Sequence, residues 1–308
     1  MTKQTVIRIL QWLGVLCLLT LLTVVLWTVI SGGSQTRSSL MWLQTAQSVA
    51  TFVLPPILCA LLWYKGRWAE WLHLSKATGD RQQTVGSVLL AVVLMIVALP
   101  GLTLLAQLNQ QITLPDCMAG LEAKLRAMEE AAMAVTEQFV KTDNAGQLLV
   151  TLFVVAVLPA FGEELTFRSL LINFFSGNGS QLSSAKPDGS SQYPTKNNKL
   201  NIAIWVSAIV FSAVHMQFFG FFPRMLLGAL FGYVLVWSGS LWLPIVMHLT
   251  NNALAVLEYN TLYWKGVDPS AADSFGYGDT LWVGIVSLIL TAVGIYFLRK
   301  IILSSRES

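Results

Sequence analysis

The sequence predicts an all-α fold, a polytopic membrane helical bundle of about eight transmembrane helices. Three observations carry that prediction. Of 308 residues, 55% are hydrophobic and only 11% are charged. Several apolar runs exceed the roughly 18 residues that mark a transmembrane helix. Basic residues are also biased toward alternate connecting segments, the pattern that sets orientation in membrane proteins. A soluble globular reading fails on the first two counts.

Eight segments qualify as spans: 6–30, 40–64, 85–106, 147–175, 200–219, 223–241, 242–260 and 280–302. The first, Val6 to Ile30, is too long for a signal-peptide core and lacks a small-x-small cleavage site, so it reads as a retained anchor. The fourth exceeds a simple crossing and is expected to tilt or project. The sixth and seventh meet at a tight turn around Ser238, Gly239 and Ser240, with Pro244 suited to a helix's first turn. With the N-terminus in the cytoplasm, twelve basic residues fall inside and six outside, Arg224 among the six, while Arg168 lies within a span. The expectation is an integral protein of the cell membrane with both termini cytoplasmic.

The chain therefore divides into N-terminal transmembrane helices (1–110), an extracytoplasmic amphipathic helix (111–146), a helical core (147–260) and a C-terminal loop with the last span (261–308). In the second region Met118, Leu121, Leu125, Met128, Ala132, Val135 and Phe139 recur at steps of three and four. That helix either packs on the bundle or interface, or acts as a lid over a substrate entrance. Residues 176–199, rich in Ser, Gly, Asn and Pro, read as a flexible cytoplasmic linker. The cysteines Cys17, Cys59 and Cys117 form no ligand spacing, which excludes a disulfide framework and a Cys-based zinc site. A net charge of +3 spread over loops implies no nucleic-acid partner. Oligomeric state is not legible.

Chemistry concentrates in the fourth span. Glu163, Glu164 and Arg168 stand in VVAVLPAFGEELTFRSLLINFF, and ionisable groups inside a membrane segment are costly and commonly functional. Glu164 and Arg168 are spaced i, i+4 with the acid on the N-terminal side, the better orientation for a helical ion pair. Glu163 points about 100° away, with no local partner. Such a carboxyl suits removal of a proton from water. An inert ion-pair network between helices is the plainer alternative.

Two histidines follow on later spans. Phe211 and His215 share a helical face at i, i+4, as do His248 and Asn252, while Asn251 is expected to face elsewhere. Each pair alone could be an interhelical hydrogen-bond device. At about 1.5 Å per residue, Glu163, His215 and His248 lie roughly 18, 22 and 9 Å from the cytoplasmic ends of their spans, which makes one shared site in the inner half of the membrane feasible. A buried site of that kind needs lateral or cytoplasmic access.

The motifs in series, EELTFR at 163–168 (EExxxR), FSAVH at 211–215 (FxxxH) and HLTNN at 248–252 (HxxxN), resemble the CAAX prenyl endopeptidase and bacteriocin-processing membrane protease family. The resemblance covers about 150–255. It implies an intramembrane endopeptidase whose core at 147–260 is of the CAAX-protease type, acting on membrane-associated or lipid-modified peptides and proteins in contact with membrane lipid. By position, Glu163 would act as general base on a water, with His215 helping to orient it. His248 and Asn252 would stabilise the oxyanion. Glu164, Arg168 and Phe211 would support the site.

No cofactor is expected, with Zn²⁺ the alternative: two histidines and a glutamate are a recognisable zinc set, yet no HExxH occurs and three helices would have to converge. Two rival functions remain. A proton-coupled transporter would also use intramembrane Glu, Arg and His, but the chain shows no internal repeat. A non-enzymatic membrane scaffold or immunity protein would keep the fold without needing every motif residue. The sequence names no substrate, and aromatic stretches such as QFFGFFP at 217–223 suit interface anchoring.

Overall fold

The computed structural model describes residues 2–34, 36–74, 81–176 and 198–307. Residues 177–197, most of the expected linker, lie outside this set. The described residues form nine principal helices and no strand: α1 (Lys3–Ser31), α2 (Arg37–Trp71), α3 (Arg81–Gln110), α4 (Ala119–Val140), α5 (Ala145–Ser176), α6 (Asn198–Ala213), α7 (Phe221–Ser238), α8 (Trp242–Trp264) and α9 (Leu281–Glu307).

Local chemistry sets the ends of these helices. The side chains of Thr2, Thr36 and Asn144 accept from the backbone N–H three residues on, at 3.2, 3.4 and 3.0 Å, capping α1, α2 and α5. Gly239, at φ 65, ends α7 in the left-handed conformation that glycine adopts without strain. The turn predicted at 238–240 follows from it, and Pro244 sits in the first turn of α8.

All eight predicted spans are helical, but the number of crossings is smaller by length and composition. Six helices are long and apolar enough to cross a membrane: α1, α2, α3, α5, α7 and α9, some of them trimmed or extended by a few residues. The helix α6 has 16 residues and is too short for that set. The 23-residue α8 falls outside it as well. His248, Thr250, Asn251, Asn252, Glu258 and Asn260 interrupt its apolar run.

The helix bearing the paired glutamates is not uniformly α. In α5, residues Leu152–Val157 and Glu164–Leu171 are π-helical, and α2 has a third π segment at Val49–Val53. A π turn widens the ladder and leaves carbonyls without their usual i+4 partner, a feature common at functional sites. Side chains from neighbouring helices meet one carbonyl in each segment. Thr166 Oγ1 donates to Phe52 O at 3.0 Å, Ser207 Oγ to Phe167 O at 2.5 Å, and Asn252 Nδ2 to Val155 O at 3.4 Å. In an apolar medium such groups must be satisfied inside the protein. The three contacts tie α5 to α2, α6 and α8.

Close backbone approach completes this frame. A Cβ on Gly162 would lie 2.9 Å from Phe52 Cβ and from Val53 Cγ2, and one on Gly228 3.1 Å from Phe211 Cδ1. Glycine at these two positions lets α5 seat against α2 and α7 against α6. On the other flank α9 packs along α3, whose Pro100 interrupts the helical ladder. Ser287 of α9 repairs the gap, accepting from Gly101 N at 2.9 Å and donating to Val97 O at 2.5 Å.

The helix α4 occupies the region read as amphipathic. Met118 just before it, and Leu121, Met128 and Val135 along it, are exposed. Leu125, Ala132 and Phe139 of the same pattern are half-buried, and Glu129 and Val140 are buried, Glu129 accepting from Phe219 N at 2.8 Å. The acid satisfies a backbone donor in the turn before α7.

Candidate active site

Each motif residue reaches the site from its own helix. Glu163 and Glu164 end one α-helical stretch of α5 and begin its second π segment, and His248 of α8 stands between them. His248 Nδ1 is 2.8 Å from Glu164 Oε1, and Nε2 is 3.7 Å from Glu163 Oε2. The first is a hydrogen bond in which imidazole N–H donates; the second is a charge contact too long for one. The sequence leaves Glu163 without a local partner, and its partner is supplied by another helix.

Beneath them Glu164 and Arg168 are both fully buried, with Arg168 Nη1 3.0 Å from Glu164 Oε1. The angle is too oblique for a hydrogen bond, and the guanidinium is held instead by charge and by aromatic faces. Its centre lies 4.1 Å from the ring centre of Phe211 and 5.4 Å from that of Phe231. Phe211 also contacts both histidine rings edge-on, at 5.1 Å to His215 and 5.9 Å to His248, while Phe231 stacks on His248 at 5.5 Å. These two phenylalanines fix the imidazole planes.

His215 lies just past the end of α6, half-buried. Its Nδ1 is 2.8 Å from Phe211 O, so Nδ1 carries the proton and Nε2 remains an acceptor. Asn252 donates to Val155 O and accepts from Asn251 Nδ2 at 3.2 Å. Asn251 was expected to face elsewhere. It lines the same cavity as Asn252, because the side-chain bond between the two amides turns it inward.

All of these except Glu164 and Arg168 meet in one cavity of about 630 Å³, lined among others by Glu163, Phe211, His215, Phe231, His248, Asn251 and Asn252. Those two acids and the buried arginine thus divide: Glu163 faces the cavity and Glu164 faces the protein. Ala131, Ala132, Val135, Thr136 and Phe139 of α4 form another wall. Arg37 fastens the end of α4, donating to Phe139 O at 3.3 Å and to Thr151 Oγ1 at 2.8 Å.

Three residues escaped the sequence reading. Arg224, counted there among loop charges, lines the cavity from the first turn of α7. Its position in an apolar run, FFPRMLLG, is the signal that could have found it. Phe231 was hidden among other apolar residues. His73 is buried in the turn after α2, its Nδ1 3.3 Å from Ser169 Oγ, one residue past Arg168. Burial pushes the His73 imidazole down to about 4. Its carbonyl accepts from Leu241 N at 2.8 Å, so this turn pins α5 to the α7–α8 junction.

Among the described residues no three His, Cys, Asp or Glu side chains group as a metal-ligand set. Both Nδ1 atoms are already engaged, by Glu164 and by Phe211 O. The arrangement offers a carboxylate, an imidazole with a free acceptor nitrogen, a second imidazole oriented by a buried acid, and two amides, all around one apolar-walled space. That set can move a proton from water and donate hydrogen bonds to a developing oxyanion.

Residues 145–254 match the family model described as Rce1-like, type II CAAX prenyl endopeptidase. The match contains all three motifs and every site residue expected from the sequence. No curated protein and no solved structure is similar enough to the chain to count as a match.

Proposed function

We propose, from the premise that residues 145–254 form an Rce1-like domain and make the chain a membrane protease of the CAAX type, that Glu163 performs the hydrolysis as a general base. The observation that carries this reading is the split between the two adjacent acids: Glu163 lines the cavity while Glu164 is buried against Arg168 and His248.

Glu163 takes a proton from a water that His215 Nε2 holds by accepting its other hydrogen. The hydroxide oxygen forms a bond to the scissile carbonyl carbon, and the C=O electron pair moves onto oxygen. Asn252 Nδ2 and His248 Nε2 donate to that oxyanion. Glu164 holds His248 Nδ1 and so aims Nε2 at the substrate oxygen. The tetrahedral intermediate then collapses, the C–N bond breaks, and Glu163 returns its proton to the leaving amine. The products are a new carboxyl terminus and a new amino terminus. Arg168 and Glu164 are positioning residues in this scheme, as are Phe211 and Phe231.

The substrate is a membrane-associated or lipid-modified peptide or protein, held in a bundle seated in the cell membrane with both termini in the cytoplasm. The exposed apolar surface of α1 and α9 suits contact with membrane lipid. No metal takes part in this mechanism.

The test is cleavage of a pool of lipid-anchored peptides by purified protein in lipid nanodiscs. Wild type, Glu163→Gln and Glu163→Ala are compared with and without chelator. Cleavage by wild type alone, indifferent to chelator, supports the scheme. Inhibition by chelator with recovery on adding zinc reassigns Glu163, His215 and His248 as ligands. Cleavage unchanged in both variants removes Glu163 from the chemistry.

A further inference from the structure

We propose that Arg224 is the specificity residue of this cavity and binds a substrate carboxylate, selecting peptides that present one beside the scissile bond. The inference rests on the peptidase reading above and adds a substrate class to it.

Arg224 is the one Arg or Lys among the side chains lining the cavity that also holds Glu163, His215 and His248. Its Nη2 donates to Gln217 Oε1 at 2.6 Å, which fixes the plane of the guanidinium. Its Nη1 is buried and, among the described residues, has no hydrogen-bond partner. A buried donor left unmade is costly, and in a native protein it calls for a reason. The nearest candidate for an internal partner fails. Glu129 on α4 spends Oε2 on Phe219 N, and no carboxylate of the described residues lies within ion-pair distance of Arg224.

The contrast with Arg168 sharpens the point. That arginine has Glu164 at 3.0 Å and two aromatic faces against it, which balance its charge although none of its side-chain nitrogens makes a hydrogen bond among the described residues. Among the described residues Arg224 hydrogen-bonds one neutral amide, and the carboxylates of Glu129 and Glu163 act on it from beyond ion-pair distance. A planar guanidinium with one side fixed and the other open matches a carboxylate, which accepts charge-assisted hydrogen bonds in that geometry. The cavity-lining residues of α4 are apolar or hydroxylic (Ala131, Ala132, Val135, Thr136, Phe139), so Glu163 is the one carboxylate among the lining residues. The carboxylate can come from the chain terminus of the substrate or from an Asp or Glu side chain near the cleaved bond; both offer the same group to Arg224.

The experiment uses the full chain in nanodiscs and a pool of lipid-anchored peptides with randomised last four residues. The pool is prepared once as free acids and once as C-terminal amides. Capture of peptides is measured on Glu163→Gln protein with Arg224 intact, with Arg224→Met and with Arg224→Lys. With Arg224 intact, acids should be captured roughly 10- to 100-fold over amides, the range of one charge-assisted contact. Should the carboxylate come from a side chain, acids and amides are captured alike and both pools are enriched in Asp and Glu at one position. Arg224→Met should abolish either preference, and Arg224→Lys should keep part of it. Absence of both preferences with Arg224 intact overturns the proposal, as does a preference that survives in Arg224→Met. Cleavage by the Glu163-containing protein is scored separately. Acid-selective capture without cleavage overturns the peptidase reading and leaves the carboxylate site standing.

Discussion

His248 sits between two consecutive glutamates and treats them differently, bonding Glu164 through Nδ1 at 2.8 Å and facing Glu163 through Nε2 at 3.7 Å. One acid orients the ring, and the other is left for the cavity. Replacing Glu164 should therefore separate positioning from folding. Glu164→Gln keeps an acceptor for Nδ1 but misplaces the ring, and kcat should fall on the order of 100-fold. Glu164→Ala strands Arg168 as a buried unpaired charge and should cost about 3–5 kcal/mol of stability. Thermal unfolding in detergent, run beside the cleavage assay, separates the two.

Asn252 is proposed to donate to the oxyanion, so Asn252→Ala should lower kcat by roughly 10²–10³ with KM little changed. A rise in KM at constant kcat would instead assign Asn252 to ground-state binding.

Gly162 precedes the proposed base and touches α2. In Gly162→Ala the new methyl meets Phe52 Cβ and Val53 Cγ2 at 2.9 Å, both at the branch rather than the flexible end of a side chain. Overpacking of this kind costs about 1–3 kcal/mol, and relief by sliding α5 displaces Glu163. Activity should fall further than the stability loss explains, measured as turnover at a temperature where the variant is fully folded.

Ser207 gives the freed carbonyl of Phe167 its partner. Ser207→Ala should cost about 1–3 kcal/mol, read as a lower melting temperature, with faster amide exchange across the π segment Glu164–Leu171.

His73 predicts how stability responds to acid. Its imidazole is held down to about 4 by burial, below its ordinary value of 6.5. The unfolded chain thus binds a proton that the folded one refuses between those two values. Stability is full above pH 6.5 and is lost as pH falls toward 4, by about 3 kcal/mol in all. Melting temperatures measured from pH 7.5 to 4 should drop, and His73→Gln should flatten that slope. An unchanged slope would assign the acid sensitivity elsewhere.

The sequence by itself determined the helical membrane class, the positions of the apolar segments, the turn at 238–240 and the three motifs. These depend on local facts: run length, side-chain period, a glycine after a helix, charges where none are cheap. The sequence reading counted Arg224 as a loop charge although the apolar run around it, FFPRMLLG, carried a signal. It could not tell that Glu163 and Glu164 share His248, that Asn251 turns inward with Asn252, or that Glu129 of α4 is buried and accepts from Phe219 N. It read α5 as a regular helix, whereas π segments displace the expected 100° offsets. Each of these was decided by tertiary structure, because each depends on which distant group satisfies a buried polar atom. Local sequence fixes what must be paired; only the packed bundle supplies the partner.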